Sequence, residues 1–196
     1  MGLLLFHPYP IAMNKHKTLI LIAALFPAYV LAAQPIWGFI ENKGQIIDQC
    51  GRSATEVRFL WPTGQGVNVQ VLDNGLSYDR YRPSVLYPDR SVFRRLDMRF
   101  EGASAMPRMV VGDTRPDRMN FIGKGADVRG VRHHGQVRLE ELYPGVDLDL
   151  RIVDRSLKYD IVVEDARDLD QVRIRYAGFD AMRVQDDEII FTLGED

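Results

Sequence analysis

The chain has little of the side-chain chemistry from which catalytic and metal sites are built. It has one cysteine and four histidines, and only His133 and His134 of these histidines follow residue 33. The sequence contains no Gly-x-Ser-x-Gly elbow, His-Glu-x-x-His, Cys-x-x-Cys or glycine-rich phosphate loop. Cys50 cannot form an internal disulfide and is predicted to be an unpaired structural thiol, with pairing to another chain as the alternative. These absences predict a protein that is not an enzyme and holds no cofactor or metal.

Long apolar runs are also scarce, and the longest one lies near the start of the chain. It spans residues 18–31, follows Lys15 and Lys17, and precedes the small residues Ala32 and Ala33. This order is typical of a secretory signal peptide, and the run is shorter than the roughly 20 apolar residues of a membrane span. We predict that residues 1–33 are a signal peptide, in which residues 1–12 are a mis-started extension.

The remainder of the chain has no strong excess of charge of either sign. Loss of residues 1–33 removes two lysines and no carboxylate, so residues 34–196 carry a net charge of about −4. Both signs are interspersed, which gives no basic surface for nucleic acid or an anionic membrane. We expect one exported domain at 34–196, extracellular, on the cell surface or periplasmic, forming the N-terminal part of a longer protein.

Apolar residues after the leader recur at every second position, the pattern of β-strands. The runs 146–152 and 157–163 alternate on either side of Asp154 and predict a long hairpin, and Asp73-Asn74-Gly75 predicts the turn of another hairpin. Residues 82–95 are predicted to form an exposed loop, and 166–171 a helical turn. The pattern predicts an all-β fold, an antiparallel β-sandwich or partly closed barrel of about ten short strands.

Two pairs of polar residues are candidate functional sites. Asp147 and Asp149 share one face of a strand, as calcium ligands do, but a solvated face is the favoured interpretation. His133 and His134 point to opposite faces of an extended segment and are likewise predicted to be solvated.

Two further classes of function remain as alternatives. A glycoside hydrolase needs two facing carboxylates, which Glu41, Glu140 or Glu141 would have to supply. A carbohydrate-binding module needs exposed aromatic faces. The candidate aromatic residues are Trp37, Trp61, Tyr78, Tyr81 and Tyr87.

Five segments recur in the order and spacing of one protein family. They are Glu41–Gln45, Met119–Gly123, Leu142–Leu148, Leu157–Val163 and Val172–Gly178. Together they resemble the uncharacterised β-rich module that lies near the N-terminus of large exported bacterial proteins, ahead of SBBP-type β-propeller repeats. The chain departs from that pattern at 129–134 and at 164–165.

The resemblance implies a non-catalytic module of the cell surface that docks on downstream propeller domains or on a neighbouring protein. The motif positions that match are interpreted as structural, and no binding residue is assigned. These positions are Glu41, Asn42, Gly44, Gln45, Asn120, Gly123, Tyr143, Pro144, Gly145, Asp147, Tyr159 and Asp160.

Overall fold

A computed structural model describes residues 38–48, 50–83, 91–123, 127–186 and 188–194. The predicted signal peptide and the aromatic candidates Trp37 and Tyr87 lie outside the described residues. Strand accounts for 61% of the structure and helix for 4%, so the predicted all-β class is confirmed.

The described part of the chain forms fourteen strands and one turn of 3-10 helix. The strands are β1 (Phe39–Glu41), β2 (Phe59–Pro62), β3 (Val67–Leu72), β4 (Gly75–Pro83), β5 (Ser91–Phe100), β6 (Arg108–Thr114), β7 (Met119–Phe121), β8 (Val128–Val131), β9 (His133–Tyr143), β10 (Val146–Val153), β11 (Ser156–Val163), β12 (Ile174–Ala177), β13 (Ala181–Gln185) and β14 (Glu188–Thr192). The 3-10 turn spans Ala166–Gln171, as predicted, and Asp165 caps it.

Nine of the strands form one antiparallel sheet that curls into a half-barrel, which agrees with the predicted partly closed barrel. The order is β11-β10-β9-β1-β2-β3-β4-β5-β12, and β6 pairs with β9 outside this path. Two small sheets, β7-β8 and β13-β14, complete the described fold.

The predicted hairpins are present with their expected registers. Val146 pairs with Val163 and Val153 with Ser156, and the intervening Asp154 and Arg155 adopt positive φ. The β3–β4 hairpin turns at Asp73-Asn74, where Leu72 pairs with Gly75. Apolar alternation therefore identified both hairpins correctly.

The loop prediction for residues 82–95 is wrong at both ends. β4 continues to Pro83 and β5 begins at Ser91, with Arg82 paired to Val92. Arginine and proline content suggested a loop, but the register of a long hairpin keeps residues 82–83 and 91–95 extended, while 84–90 lie outside the described residues. The main sheet has ten strands when β6 is included, in line with the predicted number, and the two small sheets add four.

The main hydrophobic core lies on the inner face of the curled sheet. It joins side chains from both ends of the strand order, so the curl is fixed by packing across the half-barrel. Its buried members include Phe39, Trp61, Val71, Leu76, Met98, Phe100, Val137, Leu139, Leu148 and Leu150.

A second, smaller core lies on the outer face of β2 and β3. Segment 46–57 crosses this face and packs Ile46, Ala54 and Val57 against Leu72, with Leu60 partly buried beside them. The sheet is therefore covered on both faces at this point.

Candidate interaction surfaces

The Glu41–Gln45 segment is a turn held by its own side chains. The Asn42 amide donates to the carbonyls of Ala54 (2.9 Å) and Val57 (2.7 Å). Its oxygen accepts from the backbone N–H of Gly44 (2.9 Å) and Ile46 (3.4 Å). Asn42 thus uses both donors and both acceptor positions on backbone groups and anchors segment 46–57 to β1.

Other members of this segment have local partners as well. The Gln45 amide donates to the Glu41 carbonyl (2.6 Å), and its oxygen accepts from the Lys43 N–H (2.7 Å). The Glu41 carboxylate pairs with Lys43 at 3.4 Å. Gly44 adopts φ +100°, a conformation that other residues rarely adopt.

The Tyr143-Pro144-Gly145 turn joins β9 to distant parts of the chain. The buried Tyr143 hydroxyl donates to the carbonyl of Glu101 (2.8 Å), with the Arg173 carbonyl at 3.3 Å. The Pro144 carbonyl accepts from the Gln171 amide (2.9 Å). Gly145 has φ +71°, and a Cβ there would lie 2.9 Å from an Asp168 oxygen. The motif therefore fastens the β9–β10 hairpin to β5, the 3-10 turn and β12.

Asp147 and Asp149 are engaged by protein groups. Asp147 accepts from the Arg138 guanidinium (2.6 and 3.0 Å) and from the Glu141 N–H (2.8 Å), and this bond to Asp147 raises the pKa of Arg138. Asp149 accepts from the Gln136 amide (2.7 Å) and is buried, so the prediction of a solvated face is wrong for Asp149. No group of three metal-ligating side chains occurs among the described residues.

The Tyr159 and Asp160 positions lie on β11. Asp160 is directly opposite Asp149, and the Arg151 guanidinium contacts both carboxylates, which relieves the like-charge pair. Burial, together with neighbouring Tyr159, raises the pKa of Tyr176 to about 12. Tyr159 on β11 and Tyr176 on β12, the outermost strands of the half-barrel, are therefore near neighbours.

Asn120 and Gly123 belong to the small β7–β8 hairpin. The Asn120 side-chain oxygen accepts from the N–H of Gly130 (3.0 Å), which adopts φ +65°. A Cβ at Gly123 would have open space around it. Asn120 therefore has a local structural contact, whereas nothing in the structure explains Gly123.

The prediction that His133 and His134 are solvated is wrong. Their exposed fractions are 6% and 3%, because the start of β9 lies between β1 and β6. His133 Nε2 lies 2.9 Å from an Asp117 oxygen and lowers the pKa of that carboxyl. His134 Nδ1 lies 2.8 Å from the Thr114 hydroxyl, and burial lowers the pKa of His134. The polar residues around His133 and His134 led to the prediction of a solvated segment. In the structure they begin the central strand β9, whose partners β1 and β6 are distant in sequence.

The carboxylates considered for hydrolysis do not meet across a cleft. Ile40, next to Glu41, pairs with His133, whereas Glu140 lies seven residues further along β9. At about 3.3 Å per residue this is a separation of roughly 20 Å or more, beyond the distances that glycosidases use. Glu140 pairs with Arg108, and Glu141 forms a backbone irregularity with φ +54°.

The aromatic candidates that the structure describes do not form an exposed row. Trp61 is buried in the main core and packs edge-to-face on Phe39, with ring centroids 6.4 Å apart. Tyr78 is largely buried, which raises the pKa of its hydroxyl, and Tyr81 is partly buried. Aromatic stacking by Trp61 on a sugar is excluded by this burial.

An uncovered apolar surface occurs on the β13–β14 hairpin. Met182 pairs with Phe191 and Val184 with Ile189, so these four side chains share one face of the hairpin, here termed the apolar hairpin face. Phe191 packs on Tyr176, with ring centroids 4.8 Å apart. The exposed fractions of Met182, Val184 and Ile189 are 50%, 71% and 47%. The sequence pattern does not show that this face of the hairpin lacks cover.

A depression with polar and apolar lining residues lies on the outer face of the main sheet, which is the face opposite the main core. This outer-face groove has a volume of about 470 Å³, one wall formed by residues 46–56, and a floor on β2 to β5. Cys50 is an exposed free thiol on the wall. The floor residues are Leu60, Asn68, Gln70, Asp79, Phe93 and Arg95.

Comparison with known proteins shows the family of the chain. Residues 39–195 match the family described as a domain of unknown function, DUF7948. The chain therefore belongs to that family. Searches of curated proteins and of solved structures gave no match. Among the described residues no helix has the length and apolarity needed to cross a membrane.

Proposed function

We propose that this domain is a non-catalytic interaction module of an exported protein, and that it docks on an SBBP-type β-propeller domain through the apolar hairpin face. The observation that carries the proposal is the exposure of Met182, Val184 and Ile189 on one face of a two-stranded hairpin. Contiguous exposed apolar side chains are characteristic of interaction sites.

The hairpin combines a fixed base with an uncovered apolar surface. Phe191 anchors it through Tyr176 and Phe179, at 4.8 and 5.2 Å between ring centroids. The exposed side chains are therefore presented from an anchored element, which reduces the ordering cost on binding. A two-stranded hairpin gains stability when another surface covers its apolar face.

The propeller is proposed as the partner because of the position of the hairpin in the chain. β14 ends at Thr192 and Gly194 lies next to Arg94 of β5, so a domain joined after the described residues would begin at the base of the β13–β14 hairpin. Such a tether makes docking intramolecular and favours it through a high effective concentration. This arrangement matches the resemblance to modules that precede propeller repeats.

The proposal is tested by titrating the purified protein with a purified SBBP-type propeller domain and measuring affinity by calorimetry. Val184→Glu should weaken binding at least tenfold, since an unpaired carboxylate would enter an apolar contact. Arg183→Glu is the matched control, because Arg183 alternates to the other face of the same strand.

Several results would contradict the proposal. No binding by the wild-type protein, or equal losses in Val184→Glu and Arg183→Glu, would remove the apolar hairpin face as the docking surface. Binding of a neighbouring surface protein through this face, but not of the propeller, would assign a different partner. Turnover of a glycoside that is abolished by Glu140→Gln would replace the interaction module with a hydrolase.

A further inference from the structure

The outer-face groove has the dimensions and the polar lining of a ligand site. Its volume of about 470 Å³ falls within the range of small-molecule pockets. It lies on the face of β3–β5 opposite the main core, since Asn68 and Asp79 alternate with the inward Val69 and Tyr78. The groove is therefore separate from the apolar hairpin face.

The floor is built around a buried carboxylate. Asp79 is 2% exposed and accepts from the Gln70 amide (2.6 Å) and the Arg95 guanidinium (2.6 and 3.0 Å). Arg95 also lies over the Phe93 ring, 5.8 Å from its centroid, and its bond to Asp79 raises its pKa. Asp79 thus fixes the orientation of two polar side chains that reach the groove, so binding need not order them.

Several hydrogen-bonding groups of the floor remain available for a ligand. The Asn68 carboxamide has no side-chain hydrogen bond within the described residues, and the same holds for the Gln70 side-chain oxygen. Asn68 is directly opposite Asp79, which is directly opposite Arg95. The floor residues on the neighbouring strands β3, β4 and β5 therefore present amide and guanidinium donors beside amide acceptors.

The charges along the groove are largely compensated. Asp48 on the wall accepts from Arg52 at 2.8 Å, as Asp79 does from Arg95 on the floor. Glu56 forms no close ion pair among the described residues, but its charge contributes to the raised pKa of Arg95. Mixed donors and acceptors with compensated charge suit hydroxyl groups, each of which both donates and accepts, better than they suit an ion.

We propose that the outer-face groove binds a neutral oligosaccharide through Asn68, Gln70 and Arg95. This site does not depend on the proposed docking function or on the aromatic residues considered from the sequence. The Glu56 carboxylate would accept a hydrogen bond from a hydroxyl group of the ligand, without acting as a counterion. The expected affinity is independent of salt concentration, because no ion pair with the ligand forms.

The test measures binding of cellohexaose, laminarihexaose and chitohexaose to the full chain by NMR and calorimetry. At least one should bind, and Asn68→Ala should weaken binding at least tenfold while leaving the melting temperature unchanged, since this carboxamide has no intramolecular side-chain hydrogen bond to lose. Gln185→Ala on β13 is the control for an amide outside the groove and should bind as the wild type does.

Three outcomes would overturn the proposal. Absence of binding by all three oligosaccharides is one, and equal binding by wild type and Asn68→Ala is another. If polylysine binds instead, with an affinity lost in Glu56→Gln and reduced by salt, the groove is a site for a cationic polypeptide. Failure of propeller binding would leave these measurements unaffected.

Discussion

Two hairpins of this chain, β9–β10 and β13–β14, have comparable antiparallel pairing and opposite burial. Val137, Leu139, Leu148 and Leu150 of the first are fully buried, whereas every residue of β13 is exposed. Apolar residues alternate at Val137 and Leu139, at Leu148 and Leu150, and at Met182 and Val184. Alternation thus specifies a hairpin with one apolar face, and the surrounding chain decides whether that face is covered.

The largest expected difference between the hairpins is in their contribution to stability. Leu148→Ala should cost about 2 to 5 kcal/mol of unfolding free energy, because it leaves a cavity in the main core. Urea unfolding monitored by circular dichroism measures this value. A cost below about 1 kcal/mol would mean that β10 is not part of the core that sustains the fold.

A second effect should come from the junction that fastens β9–β10 to the remainder of the sheet. Tyr143→Phe should cost about 0.5 to 1.5 kcal/mol, because the buried Tyr143 side chain loses its hydrogen bond to the Glu101 carbonyl. The matched control is Tyr81→Phe on β4, whose side chain is half-buried and whose hydroxyl has no hydrogen bond among the described residues. Equal effects of the two variants in thermal unfolding would contradict a special role for Tyr143.

Acid should weaken the β9 side of the molecule through His134. Its folded pKa is lowered by burial from an ordinary value of 6.5, so the neutral form is preferred in the folded state. This contribution to stability is present above pH 6.5 and is lost as pH falls through the lower folded pKa. His134→Asn should therefore flatten the decrease in melting temperature between pH 7.5 and pH 5, and an unchanged slope would contradict the assignment.

The smallest effect on stability is expected on the apolar hairpin face. Val184→Ala should change the unfolding free energy by less than about 0.5 kcal/mol, since most of the side chain is already exposed. Chemical denaturation of the isolated protein measures it. A cost comparable to that of Leu148→Ala would show that this face is covered in solution, for example by self-association.

The elements that sequence predicted correctly are those in which local pattern and burial agree. Val146–Ile152 and Leu157–Val163 alternate regularly, and Asp154 in their turn is a residue type that tolerates positive φ. The 3-10 turn at 166–171 lies where no apolar alternation competes, and the structure shows that Asp165 caps it.

Errors arose where tertiary neighbours determined the environment. His133 and His134 are buried by β1 and β6, whose partner residues lie far away in sequence, and no local pattern signals this. The outer-face groove was missed because Asn68, Asp79 and Arg95 come together only through strand register. Charged residues at 91–95 obscured a strand whose outer face takes part in ion pairs.

Amide hydrogen exchange, with and without the SBBP-type propeller, tests most directly whether β13–β14 is an interaction element on a more stable half-barrel. For the protein alone we expect the hairpin amides of 181–192 to exchange faster than those of β9–β10, because the apolar hairpin face is uncovered. Addition of the propeller should slow exchange at 181–192. Protection of 181–192 equal to that of β9–β10 in the isolated monomer, or no change on adding a propeller that binds, would contradict the proposed role of the hairpin.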